Sequence, residues 1–213
     1  MNEKLITSDD LAKMDTHPRA AFMNSLTGFK SASLIGTIDQ QRQTNLAIFS
    51  SVVHLGSNPA LVGFISRPHT TERHTLENIQ DTGCFTVNHV NEHIYRQAHQ
   101  TAARYPKCIS EFEATGLTPR FSQTMKAPYV QESHIKYGVE YVEKHALNIN
   151  GTILVIGRVL EVLIPESSVM ADGTIDIEMF GTIAISGLDG YHSTTRLSRL
   201  SYAKTNTLPT ELN

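Results

Sequence analysis

The chain has 213 residues, 40% of them hydrophobic and 18% charged, with 18 Lys and Arg against 21 Asp and Glu for a formal net charge of -3. At about 150 residues per domain this length predicts one domain, and the hydrophobic fraction with so small a net charge excludes a disordered chain. The charges form no long single-sign run, so nucleic acid is not an expected partner.

Residues 1–19 carry Glu3, Lys4, Asp9, Asp10 and Lys13 and contain no apolar signal core. No apolar run approaches the ~20 residues that cross a bilayer, so a cytoplasmic protein with no membrane partner is expected. Cys84 and Cys108 form no CxxC pair and read as reduced, structural thiols.

In chain order, residues 1–28 read as a helical segment. Ser8, Asp9 and Asp10 offer caps to a first helix, and Thr16 with Pro18 starts a second that ends near Gly28. Short apolar runs then predict strands over Ser31 to Asp39, Asn45 to Leu55 and Ala60 to Ser66, with turns at Asp39-Gln-Gln-Arg-Gln and Gly56-Ser-Asn-Pro59. A helix from Thr71 or Thr75 to Thr82 follows, with Leu76 and Ile79 on one face and Gly83 at its C-terminus. Cys84 to His89 reads as a strand. Glu92 to Arg104 reads as a helix capped by Asn91, with Ile94, Ala98 and Ala102 as its inner stripe. Glu111 to Met125, broken by Gly116 and Pro119, reads as an ordered loop with a functional or dimer-covering role.

Asn150-Gly151 predicts a type I′ hairpin between strands Lys136 to Ile149 and Thr152 to Ile164. The second strand is apolar on both parities, with Leu154, Ile156, Leu160 and Ile164 opposite Val155, Val159 and Leu163. Interrupted by Gly157, it suits a curled sheet whose outside is covered by helices or a second subunit. Asp172-Gly173 and Asp189-Gly190 mark further turns. Strands outnumber helices without alternating with them, which disfavours a doubly wound sheet. The expected fold is mainly β with a few helices, a small barrel.

His89-Val-Asn-Glu-His93 fits the H-x-x-E-H zinc pattern, but His89 ends a strand and Asn91 begins a helix, so the two imidazoles need not share a helix face and no metal is expected. Asn150-Gly-Thr152 is a glycosylation triplet that the predicted turn already explains. The sequence contains no G-x-S-x-G, G-x-G-x-x-G or P-loop, so a nucleotide would need another device.

Such a device is suggested by Asn45-Leu-Ala-Ile-Phe-Ser-Ser51, then Asn58-Pro59, Ser66-Arg67-Pro68, Arg73-His74-Thr75-Leu-Glu-Asn78-Ile79 and Gly83-Cys-Phe-Thr-Val-Asn88. In order and spacing this succession resembles the flavin reductase-like family, whose fold is an FMN-binding split barrel. The segments from Glu111 to Pro119, Lys126 to Ser133 and Asp172 to Tyr191 carry the resemblance on, so that it covers about Leu26 to Tyr191. It implies a split β-barrel domain over residues 29–192, preceded by the helical segment 1–28 and followed by a C-terminal tail, 193–213.

The resemblance places Arg73 and Thr75 at the FMN phosphate, a group that needs cations and the free N–H groups of a helix start. His74 stands where the family has an aspartate, and Arg67 is a second cation close by. Asn45, Ala47, Ile48, Phe49, Ser50 and Ser51 match the segment that lines the flavin ring, with Ile48 in place of the usual proline. The implied activity is a flavin oxidoreductase: a homodimer that binds FMN and takes hydride from NADH or NADPH. Alternatives on the same barrel are an FMN-dependent oxidase of the pyridoxamine phosphate oxidase type and a nonenzymatic flavin or haem carrier. No acid, base or nucleophile is implied, because the cofactor supplies the reactivity.

Overall fold

The structure, a computed structural model, describes residues 2–68 and 74–212. Helix α1 spans Ser8–Lys13 and its cap is Thr7, one residue before the expected candidates. The Thr7 hydroxyl accepts from the Asp10 amide while the Asp10 carboxylate accepts from the Thr7 amide, a reciprocal box that satisfies two helix-end donors at once. Helix α2 spans Thr16–Leu26. Strands β1 (Lys30–Ser31), β2 (Ser33–Ile38), β3 (Thr44–Phe49), β4 (Val53–Ser57) and β5 (Ala60–Ser66) follow. The run expected as one strand from Asn45 to Leu55 is therefore two strands, β3 and β4, divided at Ser50 to Val52. β4 also continues through Gly56 and Ser57, which were expected in a turn.

Helix α3 (His74–Thr82) presents Thr75, Leu76, Asn78 and Ile79 to the interior and stops at Gly83, where φ is +74°. Strand β6 covers Cys84–His89, as the sequence predicts. The next helix is only α4, Tyr95–Gln100. Asn91 is not its cap. The Asn91 carboxamide oxygen accepts from the His93 amide at 3.0 Å, making a turn that uses up residues 91 to 94 before the helix begins. Ile94 and Ala98 are buried as expected, whereas Ala102 is exposed beyond the helix end.

The segment expected as a loop from Glu111 contains α5 (Glu111–Thr115) and β7 (Pro119–Arg120), the latter pairing with β8 (Tyr129–Val130). Its polar composition hides two anchors, Phe112 and Leu117, both buried. The long strands are β9 (Lys136–Leu147) and β10 (Thr152–Leu163). Their connection is not a type I′ turn. Leu147 pairs with Thr152, leaving four residues in the loop, and of Asn150 and Gly151 only Gly151 has positive φ. The Asn150 side chain instead accepts from the Thr152 amide and hydroxyl, and Gly151 N–H donates to the Leu147 carbonyl at 2.8 Å.

A 3-10 turn at Glu166–Ser168 precedes β11 (Ala184–Ser186), β12 (Gly190–His192), β13 (Arg199–Leu200) and β14 (Glu211–Leu212). The glycine that turns β11 into β12 is Gly187, with φ +59°, and Gly190 already lies in the strand. Of the two free cysteines, Cys84 is buried, while Cys108 is exposed and so does not fit the expected structural role.

Among the described residues seven strands form the main sheet, in the order β3-β2-β6-β9-β10-β5-β4, all neighbours antiparallel. The two edges, β3 and β4, are consecutive in sequence. Four Cα steps from Phe49 to Val53 reach at most about 14 Å, so the edges must curl toward each other. Phe64 on β5 and Phe85 on β6 confirm this curl: two strands separate them in the sheet, yet their ring centroids lie 5.5 Å apart. They sit in an interior cluster with Ile35, Leu76, Ile79, Val87, Val139 and Val155. Strand β10 yields to this closure by bulges at Ile156/Gly157 and Val159/Glu161. The fold is a mainly β split barrel with few helices.

A second core lies outside the barrel wall, where Leu34 and Leu46 meet Val90, Ile94, Ala98, Phe112, Val130 and Ile185. β2 is thus buried along its whole length on both faces. The outer side of β10 differs: Leu160 is 54% exposed and Val162 is 49% exposed, so no helix among the described residues covers them. No helix among the described residues is long and apolar enough to cross a membrane.

Candidate functional site

At the seam where the sheet curls round, the Ser51 side chain ties the β3–β4 connection to β5. The Ser51 hydroxyl donates to the Ile65 carbonyl at 3.2 Å and accepts from the Ile65 amide at 3.1 Å, as a backbone residue of a paired strand would. Ser51 therefore joins the β3–β4 connection to β5 with both hydrogen-bonding functions in use. Beside this seam opens a cleft of about 670 Å³.

One wall is β3 and its extension, through Asn45, Ala47, Ile48, Phe49, Ser50 and Ser51. The end of β5 adds Ser66 and Arg67, and the first turn of α3 adds His74 and Thr75. The structure thus brings together every expected cofactor-site residue except Arg73, which lies outside the described residues. The role of Asn45 is firmer than a ring contact, since its side-chain amide donates to the hydroxyls of Thr37 (3.2 Å) and Thr75 (3.1 Å). Asn78 donates to the same Thr37 hydroxyl at 3.2 Å. This buried polar network fixes the start of α3 against β3. Phe49 packs edge-on against Phe64, with centroids 4.9 Å apart, so its ring belongs partly to the barrel core.

The rest of the lining comes from Asn24 of α2, residues 101–105 after α4, Leu188 and Glu111, the last at the start of the segment expected to have a functional or dimer-covering role. Lys30 holds part of that lining together. Its ammonium donates to the Asn24 carbonyl at 3.1 Å and the Gly187 carbonyl at 2.8 Å, tying α2 to the turn that carries Leu188. Glu111 is 7% exposed and its carboxylate accepts from the Leu46 amide at 2.9 Å. Burial pushes its carboxyl up, against the opposing pull of that amide and of His74. Nothing in the spacing around Glu111 signals this role. A glutamate in a polar stretch normally reads as solvated.

His89 and His93 occupy different environments. His89 is largely buried, beside the Thr182 hydroxyl at 3.4 Å and edge-on to Tyr137, and its imidazole is pushed down to about 4 by burial. His93 is exposed next to Glu92. Among the described residues no group of three His, Cys, Asp or Glu side chains could hold a metal ion.

The site is thus a cleft at the seam of a split barrel, lined along one strand by both polar and apolar residues and bordered by Arg67 and the first turn of α3. Residues 12–175 match the family model described as flavin reductase like domain, and the chain belongs to this flavin-binding family. A protein of Shewanella frigidimarina NCIMB 400, assigned as a flavin reductase with a split barrel domain, is 53% identical and superposes with a TM-score of 0.91, covering 94% of this chain and 100% of that one. Nitrilotriacetate monooxygenase component B from Bacillus cereus shares the fold at a TM-score of 0.82 and 21% identity, over 94% of this chain and 100% of that one. An uncharacterized protein of Aquifex aeolicus is 30% identical over 105 residues, 48% of this chain and 54% of that one. The chain thus spans about half the length of that relative.

Proposed function

We propose that this chain is an FMN-dependent oxidoreductase, a flavin reductase that takes electrons from NADH or NADPH. The carrying observation is the cleft itself, whose strand wall from Asn45 to Ser51 and helix-start border at His74 and Thr75 gather side chains far apart in sequence at one seam. FMN bound there would supply the hydride-accepting chemistry. The chain's own residues bind and orient. The β3 backbone and Ser50 offer hydrogen-bonding groups to the ring, Ile48 and Ala47 offer apolar surface, and Arg67 with Arg73 balances the phosphate charge. The 53% identity to the Shewanella protein assigned as a flavin reductase supports the same reading. The nicotinamide would enter from the rim formed by residues 101–105 and Leu188.

We read residues 29–192 as the flavin-binding domain, with the 1–28 helices and the 193–213 tail as its flanks, and the active form as a cytoplasmic homodimer. The test is an absorption spectrum of protein purified with FMN, before and after NADH or NADPH. Bleaching of the flavin band with turnover of nicotinamide is expected, and tight FMN with no turnover would make the protein a carrier instead. A second measurement isolates the phosphate contact. Arg73→Ala should weaken FMN by about 1.5 to 3 kcal/mol while leaving riboflavin nearly unchanged, because a charge-assisted hydrogen bond is lost. Equal losses for the two flavins would remove Arg73 from the phosphate site.

A further inference from the structure

We infer that Glu111 is a positioning residue of the cleft: its carboxylate holds the outer edge of β3 through the Leu46 amide, so that the flanking cleft residues Asn45 and Ala47 keep the register a ring ligand requires. The ligand in this statement is the flavin of the proposed function, on which that part rests. The positioning itself is a property of the chain.

β3 ends the sheet and has β2 on one side only. Alternate amides of such an edge point away from the sheet and need partners. Leu46 carries one of them. Its side chain is fully buried in the outer core with Phe112, while Asn45 and Ala47 on either side line the cleft. Any slip of Leu46 therefore moves both cleft residues. The amide meets Glu111 at 2.9 Å, and a second tie, between the Thr44 and Ser110 hydroxyls at 2.7 Å, lies two residues earlier on β3.

Glu111 is itself anchored. It opens α5, its carbonyl accepts from the Thr115 hydroxyl at 2.6 Å, and the neighbouring Phe112 is buried in the same core as Leu46. The acceptor thus arrives preorganised, with Glu111 only 7% exposed and Leu46 fully buried. Other charged groups at the cleft are cationic or imidazole: Arg67 and Arg104 on its rim, and His74, which favours the ionised carboxylate. A buried carboxylate is a costly acceptor where a neutral group of similar shape would serve. Its presence on the wall of a cleft, where local cost is tolerated for the sake of a site, fits a functional use.

The test compares wild type with Glu111→Gln, which keeps an oxygen within reach of Leu46, and Glu111→Leu, which fills the space without an acceptor. FMN affinity is read by fluorescence titration and backbone order by residue-resolved amide exchange. For Glu111→Leu the expected result is about ten-fold weaker FMN and about ten-fold faster exchange at Leu46, with Val87 and Val139 in the barrel core unchanged. Glu111→Gln should recover FMN affinity to within about three-fold. Uniformly faster exchange across the chain, or equal losses in the Gln and Leu variants, would overturn the inference. Should wild type bind no FMN, the flavin reading fails, and exchange at Leu46 in the two variants alone decides whether Glu111 positions the strand.

Discussion

His89 shows how burial turns one side chain into a pH-dependent stability element. Its imidazole, ordinarily near 6.5, is pushed down to about 4 because desolvation disfavours the charged form. Above pH ~6.5 the ring is neutral in both folded and unfolded chains, and the folded state carries no penalty. As pH falls from ~6.5 toward 4, the unfolded chain takes up a proton that the folded chain refuses, so stability drops through that window and the loss is complete below about 4. The drop attributable to this residue is about 3 kcal/mol at most. Denaturant midpoints of wild type and His89→Gln at pH 7 and pH 4.5 check it: the difference between the two proteins should shrink or reverse at the lower pH. A constant difference would mean that His89 titrates normally. Ser51 teaches a related lesson. A serine matched to a ring-lining motif spends its hydroxyl on the backbone of Ile65, so its first effect on the site is to close the wall behind it.

Among the elements, β10 bears the strain of closure. Its Gly157 lies at a bulge where a Cβ would stand 2.3 Å from Val139 Cγ1 and 2.8 Å from the Glu140 carbonyl. The neighbouring strand therefore approaches a point that only a glycine leaves open. Gly157→Ala should destabilise the chain by about 1 to 3 kcal/mol, as overpacking of a close-packed interior does. Thermal or denaturant unfolding measures this, and a neutral result would mean β9 has room to move away. The isolation of Gly157 among β-branched neighbours was legible in the sequence. The helix α5 was not, because five residues are too few to display a period, and its fit rests on Phe112 reaching a core built by distant strands.

For the whole molecule, the bare flank of β10 is the main open feature. Leu160 and Val162 are exposed on β10, and Val53 and Leu55 on β4 are also exposed. Exposed apolar side chains clustered on a sheet commonly mark an association face. In the proposed homodimer this is the face we expect a second copy to cover. Sedimentation should then give two chains for wild type and one for the double variant Leu160→Lys, Val162→Lys, since two desolvated charges per subunit oppose that contact. A monomeric wild type, or a double variant that stays dimeric, would move the interface elsewhere.

What the amino-acid order determined by itself were features set by short-range rules: alternating apolar runs, the stop of α3 at Gly83, the strand Cys84 to His89, and the family motifs running through Asn45 to Ser51 and His74 to Asn88. Turn chemistry was less secure. The Asn-Gly pair predicted a two-residue turn, but the pairing of Leu147 with Thr152 lengthened the loop to four, because register is set by the partner strand as well as by the turn. The division of Asn45 to Leu55 into opposite edges of one sheet, the Ser51 bridge, and the arrival of Asn24, Leu188 and Glu111 at a single cleft were decided only by tertiary structure. Each depends on contacts between residues far apart along the chain, and no local spacing encodes which distant amide a buried carboxylate will meet.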